Sequence, residues 1–310
     1  MTTVTSDKPT ASTRVAPLRW EHVKCNLCGR DEPQLYHRER LPYFDELLDF
    51  EIVRCRNCGL VYTNPRLAKH NATYIHAGCD DPGAIEKHAR AKAGVFEAAL
   101  DNIITWQNHL GAKPGGTLLD VGCGTGHFLD RARRRGFEIL GIEPADSAAD
   151  YAAGIMDVPI IKQNIADVNY PPGSFDVITA WDVIEHVADP QAMLHRCSEW
   201  LKPSGIMALR FPSSTWQKIK GTVLHSLLST DRPVFSATMH LYFFNEETFA
   251  SMASQVGLEV LKAANTPVEP NTDSTLIDGL KIISDRLIRT IEIVSGKRLG
   301  NLEVYCRRID

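Results

Sequence analysis

The sequence predicts an α/β protein, a parallel sheet covered by helices on both faces, with a small four-cysteine module in front of it. Three observations carry this. From Thr117 onward, short β-branched runs alternate with helical stretches, the rhythm of consecutive βαβ units. The first run ends in Asp120-Val121-Gly122-Cys123-Gly124-Thr125-Gly126, a glycine-rich loop at a strand's carboxyl end, where open α/β sheets bind ligands. Ahead of it stand two Cys-x-x-Cys-Gly knuckles, Cys25 to Gly29 and Cys55 to Gly59.

At 310 residues and 44% hydrophobic content, the chain has room for one large domain and a small accessory module. Its net charge of -4, with 23% charged residues, makes no overall electrostatic case for a nucleic-acid or anionic-membrane partner. The expected partner is a small molecule. Residues 1–17 are rich in Thr, Ser and Pro and lack the apolar stretch of a signal peptide, so they read as a disordered tail. No later run approaches the ~18 uninterrupted apolar residues of a membrane span, and the protein reads as cytoplasmic.

Residues 18–80 read as a zinc ribbon. Cys25, Cys28, Cys55 and Cys58 form two matched pairs, separated by a segment long enough for a hairpin that lets four thiolates converge tetrahedrally. The glycine after each pair permits the turn that aims backbone amides at sulfur. A redox dithiol or unrelated buried thiols are the alternatives, and the repeated spacing favours zinc. An all-cysteine set has no open coordination position, so the metal is expected to be structural. Leu60 to Thr63 reads as a ribbon strand and Asn64-Pro65-Arg66 as its exit turn. Basic and acidic residues are balanced across the module, with no one-sided patch for nucleic acid. Of the other cysteines, Cys197 and Cys306 read as ordinary buried thiols.

His76 to Gly83 is the expected boundary, and the second domain is expected over 84–310. Phe96, Leu100, Ile103, Ile104 and Leu110 recur at helical spacing, predicting a helix that packs on the sheet or covers the site. Strands are expected at Thr117 to Val121, Phe137 to Glu143, Val158 to Ile161, Phe175 to Ala180, Ile206 to Phe211, Leu258 to Leu261 and Leu302 to Arg307.

The glycine loop opens a helix near Phe128, and Glu143 closes the second strand about 20 residues later, where a carboxylate accepts from ribose hydroxyls. A dinucleotide dehydrogenase is the natural rival. Its fingerprint puts the third glycine one residue later, where His127 stands here. Asp120 beside the loop would repel a pyrophosphate but suits a ligand carrying an ammonium group. No Gly-Lys-Ser/Thr follows, which excludes a P-loop.

Asp120 to Gly126, Glu143, Ser174-Phe175-Asp176-Val177-Ile178, Asp182-Val183-Ile184-Glu185-His186-Val187 and Leu201-Lys202-Pro203-Ser204-Gly205 together resemble the successive motifs of the class I S-adenosylmethionine-dependent methyltransferases, from about Gly115 to the end. The resemblance implies a Rossmann-like seven-stranded sheet. It implies that the loop residues Asp120, Gly122, Cys123, Gly124 and Gly126 hold the methionine part, Glu143 the ribose, and residues around Asn164, Ile165 and Ala166 the adenine. A ribbon joined to such a domain is similar to a subgroup that includes sugar C-methyltransferases of natural-product pathways, which carry a further C-terminal domain.

Methyl transfer is an in-line displacement, so the protein aligns a nucleophile and, for a poorly acidic acceptor, removes its proton. His186, after the fourth strand, is a candidate base, or alternatively a loop residue that satisfies a carbonyl. His240 is the second candidate, with Tyr242 either assisting or packing. Asp182, just past the strand, is expected to contact cofactor or substrate. Ser213 to Thr238 is the expected acceptor-side lid, its apolar residues lining a pocket or forming a packed helix. The stripe Leu276, Leu280, Ile283, Leu287, Ile291 and Val294 reads as core or as a homodimer interface. Arg131, Arg133, Arg134 and Arg135 read as a solvated helix face. The leading reading is an enzyme that methylates O, N or C of a small metabolite, in secondary metabolism or cell-surface sugar chemistry. The other is a non-catalytic adapter that recruits a protein through its ribbon.

Overall fold

The computed structural model of the protein describes residues 18–43, 46–68, 82–154, 156–219, 234–266 and 300–309. The N-terminal tail, most of the expected boundary loop, much of the lid segment and the 276–294 stripe lie outside the described residues.

The front module is built on a long antiparallel hairpin, β2 (Pro33–Tyr43) with β3 (Glu46–Cys55), running in register from Pro33↔Cys55 to Tyr43↔Glu46 with one bulge. The short strand β4 (Val61–Thr63) pairs with β3. Beside this sheet, β1 (Trp20–Glu21) pairs with β5 (Arg66–Leu67), placing Glu21 opposite Arg66.

The second module opens with α1 (Pro82–His109) and continues β6 (Gly116–Val121), α2 (His127–Arg134), β7 (Phe137–Ile142), α3 (Asp146–Gly154), β8 (Ile160–Ile161), β9 (Phe175–Trp181), α4 (Pro190–Trp200), β10 (Leu201–Pro212), β11 (Tyr242–Phe243), α5 (Glu246–Gln255), β12 (Leu258–Asn265) and β13 (Asn301–Arg308). Seven of these strands form one sheet in the order β12-β13-β10-β9-β6-β7-β8, with β13 antiparallel to both neighbours. The seven expected strands are these seven. The third is shorter than its sequence suggests because the Val158 amide turns back to the carbonyl of Ala152, leaving the ladder to begin at Ile160. The fifth is longer because Leu201 already pairs with Phe175, before a register shift that ends at Ile206.

The central strands are buried on both faces, which is why β6 and β9 read as nearly continuous apolar runs. On one face, Phe96, Ala99, Leu100 and Ile103 of α1 pack with Leu118, Val177, Ala208 and Tyr305, so the helical stripe covers the sheet. On the other, Ile178, Met207 and Leu209 join Leu194, Cys197 and Trp200 of α4. That second core does not stop at the front module: Cys25, Leu27, Val53, Leu60 and Tyr62 belong to it. The modules also share a ladder, since β11 adds to the ribbon sheet through Tyr242↔Tyr62 and Phe243↔Val61.

Candidate active site

The strand β6 ends in a loop that needs glycine for two different reasons. Gly122 has φ 66°, and a Cβ there would come within 2.5 Å of Val183 Cγ2, so only a bare Cα lets the loop lie against the exit of β9. Gly124 has φ 53° and nothing within 4 Å of its would-be Cβ, so it presents backbone to open space. Its amide donates to Glu143 Oε2 at 2.8 Å, and the amide of Ala145 donates to Glu143 Oε1 at 2.9 Å. Two backbone donors thus fix the carboxylate at the end of β7 before any ligand arrives.

Below this loop lies a cavity of about 500 Å³. Of the residues expected at the site, Gly122, Gly124, Glu143, Asn164, Ile165, Asp182 and His186 line it. The Asn164 side chain caps the turn of 3-10 helix at Ile165–Asp167 by accepting from Ala166. Ile142, Pro144, Ala148 and Met193 add apolar wall. A carboxylate, a capped polar turn and an apolar slot form a set of groups suited to a nucleoside.

Asp120, Cys123 and Gly126, also expected among the cofactor residues, stand outside the lining. Asp120 is buried and pairs in register with Thr179 of β9, so the two side chains share one face of the sheet and the carboxylate accepts the Thr179 hydroxyl at 2.6 Å. Burial, opposed by that hydrogen bond and reinforced by the charge of Glu143, pushes its carboxyl up to about 8. A carboxyl pushed toward its neutral form is a weaker ammonium partner than an ordinary carboxylate. The Cys123 thiol faces Gly141, where a Cβ would come within 2.5 Å of its sulfur. Gly126 N-caps α2 in the left-handed conformation.

Asp182 lines the cavity with φ 57°. Its carboxylate accepts from Arg210 Nε at 3.0 Å, Arg210 Nη2 at 2.5 Å and Lys92 Nζ at 2.9 Å. Burial alone would raise this carboxyl, but the two cations outweigh it and hold it well below the usual carboxylate range. Neighbouring Glu185 is buried, and desolvation together with the charge of Asp182 pushes its carboxyl well up.

His186 and His240 meet. Their rings lie edge to face with centroids 4.8 Å apart, and one ligand atom from each, with one from Glu185, lie within 4.8 Å of one another. His240 does not itself line the cavity. It is held from the ribbon side: buried Glu39 of β2 accepts the amides of Val234 and Phe235 at 2.6 and 2.5 Å, and Thr63 of β4 donates to the His240 carbonyl at 3.0 Å. Tyr242 packs in the core, its hydroxyl donating to the Ala188 carbonyl at 3.1 Å.

Several residues of the site carry no sequence signal. Lys92 and Arg210 are separated widely in the chain, and Glu21, Arg66 and Leu67 of the ribbon line the same cavity. Nothing in an exit turn such as Asn64-Pro65-Arg66 announces a pocket wall in another module.

The four knuckle cysteines converge, with Cys25 Sγ 3.4 Å from Cys58 Sγ and Cys28 Sγ 3.6 Å from Cys55 Sγ. All four sulfurs lie within 4.8 Å of one another. These separations exceed a disulfide bond and match the ~3.8 Å edge of a tetrahedron with ~2.3 Å metal–sulfur bonds. The donor set therefore fits zinc.

Comparison with known proteins agrees with this architecture. A family model described as a methyltransferase domain matches residues 95–263. The chain is similar to the ubiquinone biosynthesis O-methyltransferase of Albidiferax ferrireducens, 36% identical over 109 residues, which covers 33% of this chain and 43% of that protein. It is similarly related to that of Rhodopseudomonas palustris strain TIE-1, at 34% over 112 residues, covering 35% and 44%. The chain thus spans less than half the length of these curated relatives. Among solved structures, the magnesium protoporphyrin IX methyltransferase of Synechocystis PCC 6803 with bound SAH shares the fold, with TM-score 0.51, 14% identity and coverage of 76% of this chain and 99% of that one. With the family model spanning more than half of the sequence, the chain belongs to the methyltransferase-domain family, of the class I, S-adenosylmethionine-dependent kind.

Proposed function

We propose that the protein transfers a methyl group from S-adenosylmethionine to an O, N or C nucleophile of a small-molecule acceptor. The observation that carries this reading is one cavity lined by the glycine loop, Glu143 and His186 together. S-adenosylmethionine, when bound, supplies a methyl group activated on a sulfonium. Gly122 and Gly124 offer bare backbone to its amino-acid part, Glu143 accepts from the ribose hydroxyls, and Asn164, Ile165 and Ala166 hold the adenine edge. His186, with His240 behind it, takes the acceptor proton. The similarity to ubiquinone biosynthesis O-methyltransferases supports an oxygen acceptor.

The residues divide into a zinc ribbon over 18–80 and a methyltransferase domain over 84–310, with zinc in the Cys25, Cys28, Cys55 and Cys58 cluster as a structural ion. An adapter would keep ribbon surface for a partner protein. Here the ribbon turns strand β4, Asn26, Glu39 and Arg66 toward the second module, which supports a role in building the site.

Titration calorimetry with S-adenosylmethionine and with NAD tests the reading. Selective binding of the methyl donor, followed by transfer of labelled methyl to candidate acceptors, is the expected result. Binding of NAD, or of neither, overturns it.

A further inference from the structure

The ribbon carries a guanidinium into the cavity, and its hydrogen bonds can be counted. Arg66 has five N–H donors. Nε donates to Glu21 Oε1 at 2.7 Å, and Nη1 donates to the Ala188 carbonyl at 3.1 Å and the Tyr242 hydroxyl at 3.2 Å. That accounts for three of them. Among the described residues nothing accepts from Nη2, and Nη2 is not among the sealed, unpartnered atoms of the interior. A side chain only 9% exposed, clamped by three acceptors, therefore keeps two donors with open space beside them. Arg66 lines the cavity together with Glu21, Asp182 and His186.

Arg66 belongs to a different module from the glycine loop and Glu143. It approaches from the opposite module and is fastened to Ala188, just after His186, and to Tyr242, just after His240. A rigidly held, permanently charged fork with spare donors is the group that best recognises an oxygen anion. Among the described residues Glu21 is the one carboxylate that contacts it, and that side chain is 41% exposed, so water screens much of its charge.

We propose that Arg66 is a specificity-determining residue that binds an anionic oxygen, carboxylate or phosphate, of the methyl acceptor, with Glu21 tempering its charge. This deepens the methyltransferase reading and rests on it.

The test uses the full zinc-loaded chain and three probes, benzoate, phenyl phosphate and neutral benzamide, followed by saturation-transfer NMR titration. Wild type is expected to bind at least one anion about tenfold more tightly than benzamide. Preference for benzoate or for phenyl phosphate identifies which anion the site takes. Arg66→Gln should abolish the preference and leave S-adenosylmethionine affinity in place, whereas Glu21→Gln should strengthen it. Equal binding of all three probes by wild type overturns the proposal, as does an Arg66→Gln protein that keeps the preference or loses only cofactor affinity. Should Arg66→Gln fail to fold, Glu21→Gln decides alone, and unchanged or weaker anion binding sinks the idea. Anion preference in a protein that binds no S-adenosylmethionine supports Arg66 as an anion site and removes the methyltransferase reading.

Discussion

His186 and His240 stack edge to face at 4.8 Å, each with its Nδ1 on a backbone carbonyl: His186 on Met239 at 2.9 Å and His240 on Phe235 at 3.1 Å. A carbonyl only accepts, so each Nδ1 carries a proton and the basic lone pair of each neutral ring sits on Nε2. Only His186 lines the cavity. His186→Ala should therefore lower kcat by roughly 10²- to 10⁴-fold with a smaller change in KM, and His240→Ala should cost less. Steady-state kinetics with an identified acceptor checks this, and a larger loss from His240→Ala would reverse the assignment.

Glu143 is held by the amides of Gly124 and Ala145, so its geometry exists before the cofactor binds. Removing a charge-assisted hydrogen bond to ribose costs on the order of 1.5–3 kcal/mol. Glu143→Ala should weaken S-adenosylmethionine binding by that amount in calorimetry. Unchanged affinity would remove Glu143 from the site.

The cysteine cluster shares its hydrophobic core with the second module. Cys25→Ser or Cys58→Ser should drop metal content from about one zinc per chain and lower the melting temperature of the whole protein, not of a separate small transition. Elemental analysis and calorimetric melting together test this. A reduced, freshly purified protein with no zinc contradicts it.

Asp120 makes stability depend on pH. Its carboxyl is raised from an ordinary 3.8 to about 8, so the folded state favours the protonated form. The stability tied to this group is fully present below 3.8 and is lost as pH rises toward 8, by at most about 1.4 kcal/mol per pH unit. Asp120→Asn mimics the neutral acid and should flatten that part of the profile, with its advantage over wild type growing from pH ~5 to ~8. Urea unfolding across this range measures it, and parallel curves for the two proteins count against the buried neutral acid.

Much of the architecture was legible because periodicity is local. The runs at Thr117, Phe137, Phe175 and Leu302 signalled strands through residues that touch their own neighbours, whereas the caps of α4 by Asp189 and of α5 by Asn245 emerged only in the structure. The paired knuckles and the Gly122 to Glu143 spacing were legible for the same reason: each depends on a few residues close in sequence. Strand boundaries were less so, as at Val158, where a helix carbonyl claims the amide that a strand would have used.

What the sequence determined by itself was the fold class, the four-cysteine cluster and the end of the cavity marked by the glycine loop and Glu143. Tertiary structure decided the rest. It turned Asp120 inward onto Thr179, saturated Asp182 with Arg210 and Lys92, set His240 against His186, and brought Glu21 and Arg66 across from the ribbon. Side-chain direction and long-range partners depend on which strands become neighbours. That choice belongs to the packing of the whole chain, where burial of apolar surface on both modules at once outweighs any local preference.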